Sequence, residues 1–425
     1  MKTDPSSTGL VRTLRRWDLV AVVLNGVIGA GIFGLPSKIF ALAGNYSLLA
    51  FAACGLCVAL IVLSFAEVAG RFTGTGGPYL FARETFGATA GFAVGWLVWV
   101  ARITAFSANL TLLPAYLGFF IPAAASGLPR AAILAGVVAL LAFLNVRGVR
   151  RTADASNILA IGKLLPLAIF IGAGLFHLAP GRFTLSGALP YAGFSQSVML
   201  LVYAFTGFEM AVIPAGETRN PARDVPRALL IGMAVVVTVY VLIQAVCMGT
   251  LPELAESRRP LADAAAHFLG NGGAAMVTAG IVISLAGNLN VLILAASRML
   301  YAMAEKGDLP PWLAATHPRF RTPAAAVMFT TAIMLALAIS GTFVYLATLS
   351  TLARLVTYFA TCGALPVLRR MRGAASEGFR LPGGALIAVI GMLVCVWLAS
   401  NCTQREARDA AIAAGLGLAI FVYRG

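Results

Sequence analysis

The chain alternates long apolar runs with short polar connections over its whole length. Twelve runs can be drawn, at 17–43, 47–70, 86–118, 130–147, 155–178, 194–215, 226–250, 272–304, 323–340, 343–367, 384–401 and 408–424. A helix needs about 20 apolar residues to cross the hydrocarbon layer of a bilayer, whereas runs of about 10 to 14 suit a soluble core. The pattern predicts an all-α polytopic membrane protein with about 12 transmembrane helices. Residues 1–16 form a polar, basic N-terminal segment. The first apolar run is too long for the core of a cleavable leader, so it reads as a retained span.

Composition agrees with this reading. Of 425 residues, 60% are hydrophobic and 11% charged, against about 25% charged in soluble domains. A net charge of +15 raises the question of nucleic acid, but basic residues in such proteins gather on one face or arm. Here they occupy loops between spans, and no nucleic-acid partner is expected. With the N-terminus inside, the inner loops hold 21 Lys and Arg and the outer loops 6, while Lys38, Arg102, Lys163 and Arg354 fall within spans. That bias places both termini in the cytoplasm and favours an even number of spans. The lack of a targeting segment or appended domain suits a bacterial inner membrane, with the lipid bilayer as the main partner and no obligatory protein partner expected. Cys54 and Cys57 form a CxxC inside a span, with no histidine or second pair nearby. They read as small packing residues, so neither metal nor cofactor is expected. His177, His267 and His317 lie at span ends or in loops and are assigned no role.

Two spans are interrupted. Span one reads Asn25-Gly26-Val27-Ile28-Gly29-Ala30-Gly31-Ile32-Phe33-Gly34-Leu35-Pro36. Glycine costs about 1 kcal/mol against alanine inside a helix, and unwound backbone at membrane depth survives only inside protein or beside a wet cavity. Gly29 to Gly34 also match GxGxxG, but the strand and helix a dinucleotide fold requires are missing. Span six carries the counterpart, Tyr203-Ala204-Phe205-Thr206-Gly207-Phe208-Glu209. Paired interruptions, one in each half of a chain, point to a transporter's binding site. The half-helix after Gly29 offers free N–H groups and a positive dipole end to an anion. Carbonyls freed beside it suit a cation, so the pair fits a zwitterion. Close packing of small residues is the alternative, favoured less because both segments are interrupted.

Four motifs in order resemble the amino acid–polyamine–organocation (APC) transporters along nearly the whole chain. They are Gly29-Ala30-Gly31-Ile32-Phe33; Ala66-Glu67 with Gly76-Gly77-Pro78-Tyr79; Phe205 to Glu209 with Gly216-Glu217 and Asn220 to Arg227; and Ser297 to Ala304 with Gly307-Asp308-Leu309-Pro310 and Pro323. The resemblance implies a 5+5 inverted-repeat, leucine-transporter-like fold. Its halves would be 17–178 and 194–367, with 384–424 as two peripheral spans. It implies amino acids or related amines as substrates. Carried over by position, the backbone of Gly29, Ala30 and Gly31 takes the substrate carboxylate. The carbonyls of Val27, Ile28, Tyr203, Ala204 and Thr206 take the amine, beside Gly207. Tyr203 stands where the family often has an aromatic gate; an interfacial or packing tyrosine is the alternative.

Ionisable groups within spans are functional candidates. Lys163 lies where some family members carry a lysine in place of a sodium ion, with Ser284 and span-one carbonyls as expected neighbours. Desolvation eases proton loss from a buried lysine, which would make transport sodium-independent and proton-coupled; a permanently charged brace in an exchanger is the alternative. Arg102, mid-span three, must find a partner. Either an anionic substrate group or an internal carboxylate serves, and Glu209, then Glu67, are the expected internal partners because an unpaired arginine in the site is costly. Either way, like-charge repulsion disfavours cationic substrates. Glu209 is also a gating candidate. Glu217, Arg223 and Arg227 either lock onto Glu67 or Arg71 or are solvated loop charges. The expected function is secondary transport of neutral or acidic amino acids by alternating access, as proton symport or as exchange. A channel would show pore rings or filter loops, and an enzyme a catalytic constellation. Neither is visible.

Overall fold

A computed structural model describes residues 14–72, 77–147, 164–185, 187–371 and 379–424. Lys163 and Gly76 lie outside the described residues. The described chain is helical, and its one β-type pairing is an isolated parallel bridge between Leu14 and Thr218. The helices are α1 (Arg16–Val27), α2 (Ala30–Ala43), α3 (Ser47–Gly70), α4 (Pro78–Phe86), α5 (Ala88–Leu117) and α6 (Gly127–Arg147). After α7 (Leu164–His177) come α8 (Tyr191–Phe205), α9 (Pro221–Thr250), α10 (Pro260–Glu305), α11 (Ala324–Ser340), α12 (Phe343–Met371), α13 (Gly384–Ala399) and α14 (Gln404–Arg424).

The helices follow the apolar runs with a few instructive differences. Six stretches are long and apolar enough to cross a membrane unaided: Ala30–Gly70, α5, α6, α9, α10 and α12. The first of these is two spans, because Gly44 at φ 55° turns the chain between α2 and α3. The remaining spans fall short as single helices because they are broken, partly outside the described residues or, for α11, only 17 residues long. Helices α13 and α14 meet at a bend of 118°. Helix α10 starts twelve residues before the apolar run at 272–304. It absorbs a preceding helical segment across Gly270, whose φ of 66° is non-helical.

Burial separates core helices from lipid-facing ones. In the most apolar window of α5, 78% of residues are buried, against 22% in α6. A polar side chain on α5 is therefore surrounded by protein, not by lipid. Helix α5 packs against α10 and α12, α3 against α9, and α6 against α11.

Both expected breaks are present. Helix α1 stops at Val27, Ile28 and Gly29 are extended, and α2 starts at Ala30. Helix α8 stops at Phe205, Thr206 is extended and Gly207 is left-handed at φ 111°; a 3-10 segment, Phe208–Glu217, follows. The two breaks cross backbone to backbone. A Cβ on Gly207 would stand 2.3 Å from the Gly26 carbonyl oxygen, and one on Gly26 would stand 2.8 Å from the Gly207 oxygen. One step along, a Cβ on Gly31 would lie 2.4 Å from the Ala204 Cα. Two of the glycines read as helix-looseners thus serve close approach.

Gly207→Ala meets both this clash and the left-handed backbone, which alone costs about 1–2 kcal/mol for a residue with a Cβ. Thermal unfolding of the purified variant should shift down by several degrees, with substrate binding lost. Gly136→Ala, on α6 with no atom within 4 Å of its added Cβ, should leave the midpoint unchanged.

Candidate functional site

A cavity of about 580 Å³ lies at the crossing of the two breaks. Val27, Gly29, Ala30, Gly31, Arg102, Tyr203, Thr206, Gly207, Glu209 and Ser284 all line it, as do Asn109, Asn288, Asn290 and Arg354. Ile28 and Ala204 are absent from this lining. Ile28 is buried and its N–H remains bonded to the Leu24 carbonyl at 3.0 Å. Ala204 is pressed against Gly31.

The carbonyls expected to form an amine site are already partly engaged. The hydroxyl of Tyr240, buried in α9, reaches the Val27 carbonyl at 2.8 Å and the Ala204 carbonyl at 3.1 Å. The Tyr203 carbonyl accepts the Thr206 hydroxyl at 2.8 Å. Tyr240 was invisible to motif reading because it is a single tyrosine in an apolar run. The available signal is that a buried phenol seeks a hydrogen-bond partner, and freed carbonyls are such partners.

The anion end of the expected site is intact. Helix α2 has 14 residues, and its N-cap Gly29 supplies no side-chain cap. Its first N–H groups have no partner within the helix, and Gly29, Ala30 and Gly31 face the cavity. The aligned peptide dipoles make this end positive, so it can hold a carboxylate. A chain of amides surrounds it. The Tyr203 hydroxyl donates to the Asn109 side-chain oxygen and to the Ala105 carbonyl. Asn109 donates to Asn288 at 3.0 Å, and a Cβ on Gly29 would lie 3.0 Å from the Asn288 amide nitrogen. Asn145 donates to Asn290 at 2.8 Å. Tyr203 is thus a buried wall residue tied to α5, with Phe343 edge-on at 6.0 Å. The buried Ser284 hydroxyl has no hydrogen-bond partner among the described residues.

The charges depart from expectation. Glu209 does not pair with Arg102. It is ion-paired with Arg354 of α12 and accepts bonds from the Gly207 N–H at 2.9 Å and the Tyr358 hydroxyl at 3.1 Å. Arg102 instead donates to the Ala295 carbonyl of α10 at 3.0 Å and approaches the Met210 sulfur at 3.9 Å. Among the described residues it makes no salt bridge. The reason is position: Arg354 lies beside the left-handed turn at Gly207, where Glu209 emerges. Arg354 was visible as an in-span arginine, but sequence offered no way to choose between two arginines for one carboxylate.

Nor does Glu67 lock onto the segment after span six. It is fully buried and holds Arg71 at 2.8 Å, Arg369 through two bonds at 2.6 and 2.8 Å, and the Leu381 N–H at 2.9 Å. That segment is instead fastened by backbone: Leu14 N–H to the Glu217 carbonyl at 3.1 Å, and Arg219 N–H to the Leu14 carbonyl at 3.0 Å. Arg16 and Asp224, 3.4 Å apart, add an ion pair.

Removing one member of a buried ion pair leaves the other uncompensated, at a cost of about 3–5 kcal/mol. Glu209→Gln should therefore lower the thermal midpoint more than Glu209→Gln combined with Arg354→Gln. A double-mutant cycle by thermal unfolding measures the coupling.

Comparison with known proteins completes the site. A family model described as amino acid permease matches residues 14–413. An uncharacterised transporter of Mycobacterium tuberculosis is 30% identical over 423 residues, covering 98% of this chain and 92% of the relative. The methylthioribose transporter of Bacillus subtilis is 27% identical, covering 93% of this chain and 90% of its own length. The arginine/ornithine antiporter of Pseudomonas aeruginosa is 30% identical over 332 residues, covering 75% of this chain and 68% of that one. With two crossed helix breaks enclosing a cavity, and a match from end to end, the chain belongs to the amino acid permease family of membrane transporters.

Proposed function

We propose that the protein is a secondary transporter that carries neutral or acidic amino acids by alternating access, without sodium and in symport with protons. The observation that carries this reading is the uncapped start of α2 on the wall of the cavity. Its N–H groups hold the substrate α-carboxylate. The substrate amine sits among the backbone carbonyls and amide oxygens around both breaks. The relatives' names span an uncharged thioether sugar and cationic amino acids, so family membership leaves the side chain open. This chain's own Arg102 supports a neutral or acidic side chain, because a second cation in the same cavity is repelled.

The pairing of α3 with α9, α5 with α10 and α6 with α11, together with the crossed breaks, supports two inverted repeats at 17–178 and 194–367, with 384–424 peripheral. Both termini face the cytoplasm of a bacterial inner membrane, in keeping with the loop charges and the bacterial relatives. Proton coupling is assigned to Lys163, the position at which the resemblance gives a lysine in place of a sodium ion, and Ser284, its expected neighbour, lines the cavity.

Two measurements test the proposal. A thermal-shift screen of the detergent-purified protein against all amino acids and common amines should show stabilisation by at least one neutral or acidic amino acid, since a ligand stabilises the state it binds. Arginine, lysine and the amines should give none. In proteoliposomes, uptake should follow an inward proton gradient and survive replacement of sodium by choline. Lys163→Ala should abolish gradient-driven accumulation while leaving counterflow. Accumulation that ignores the proton gradient but requires an internal amino acid would establish exchange instead.

A further inference from the structure

The charged side chains lining the cavity are Arg102, Glu209 and Arg354. Glu209 is used up internally by Arg354, Tyr358 and the Gly207 N–H. One full positive charge, on Arg102, therefore stands in the cavity without a carboxylate among the described residues. The positive end of α2 adds to it.

Arg102 is deeply placed, at 6% exposure, on the most buried of the six long apolar stretches. A guanidinium carries five N–H donors in a rigid fork matched to a carboxylate. Here one is spent on the neutral Ala295 carbonyl, with a thioether sulfur as the other contact. A buried charge supported only by neutral groups is costly, and a two-pronged bond to a carboxylate is the strongest relief chemistry offers it. In the same cavity the buried Ser284 hydroxyl lacks a partner among the described residues. It lies on α10 one turn before Asn288, at the α2 end of the cavity and away from Arg102.

Two separate positive features, Arg102 and the start of α2, line one cavity, as a molecule with two carboxylates requires. Arg102, Ala105 and Asn109 share the cavity-lining face of α5. Asn109 joins the amide chain that ends against Gly29, at the start of α2. Seven residues of helix separate Arg102 from Asn109, roughly 10 Å along the axis at 1.5 Å per residue, so the arginine stands apart from the start of α2.

We propose that the preferred substrate is a dicarboxylic amino acid. Its α-carboxylate takes the N–H groups of α2, and its side-chain carboxylate takes Arg102. This rests on the amino acid transport reading above and names the substrate class within it. Arg102 is then the residue that sets specificity.

The test compares acids with their isosteric amides: aspartate against asparagine and glutamate against glutamine. Wild-type protein in detergent should be stabilised by one acid at concentrations at least about tenfold below those its amide needs, a gap worth about 1.4 kcal/mol. In proteoliposomes the same acid should compete for uptake and the amide should not. Arg102→Gln should erase the preference, bringing acid and amide within about threefold, and Arg102→Lys should retain part of it. Equal or better binding of the amides, or of apolar amino acids, by the wild type overturns the dicarboxylate assignment and leaves amino acid transport standing. Stabilisation by no amino acid at all overturns both. An acid preference that survives in a folded Arg102→Gln protein overturns the role given to Arg102. The wild-type comparison decides the substrate class even if that variant fails to fold.

Discussion

The contact on which the structure depends is the crossing of two unwound backbones at Gly26 and Gly207. Helix interiors hide their peptide groups, so a binding site made of peptide groups needs a place where helices stop. Stopping one helix at membrane depth leaves polar groups to be satisfied. Stopping two at the same point lets each break cover part of the other, and this requires backbones closer than any side chain allows. Glycine at Gly26, Gly31 and Gly207 is the residue that meets that condition. The surrounding helices follow from it. Tyr240 closes over the carbonyls of Val27 and Ala204 from α9, Asn109 and Asn288 line up along α5 and α10, and Glu209 turns toward α12.

Much of the fold was legible because a bilayer imposes one length and one composition on every span. The breaks were legible too, since glycine clusters and a carboxylate are out of place in apolar helices. Ten of the residues expected at the site from these signals line one cavity. What sequence missed was direction. Whether a carbonyl points at a cavity or at a neighbouring hydroxyl depends on rotation about a helix axis, as Tyr240 demonstrates. Which of two arginines takes Glu209 depends on tertiary placement of α5 and α12, and each arginine sits in an apolar run that looks alike. The amide pair Asn288 and Asn290 carried a readable signal, polar residues in an apolar span, whose meaning became plain only beside Asn109 and Asn145.

The distribution of charge in the cavity is also a matter of economy in geometry. Glu209 satisfies its own break, through the Gly207 N–H, and a distant helix, through Arg354 and Tyr358. The carboxylate therefore belongs to the scaffold of span six, while Arg102 reaches the cavity from a helix that has no break to support. The paired and the unpaired charge of the cavity are thus held on different elements.

The cluster around Glu67 has a mechanical side. One buried carboxylate gathers Arg71 from its own helix, Arg369 from α12 and the backbone at Leu381 just before α13. Elements pinned to one point cannot slide past each other, so α3, α12 and the start of α13 form one braced unit. Helix α1 is held to the segment after span six through Leu14 and Arg16, and the 3-10 continuation of α8 is held to α12 through Glu209. One buried glutamate thus braces three elements, and a second, Glu209, ties the broken span six to the same frame through α12.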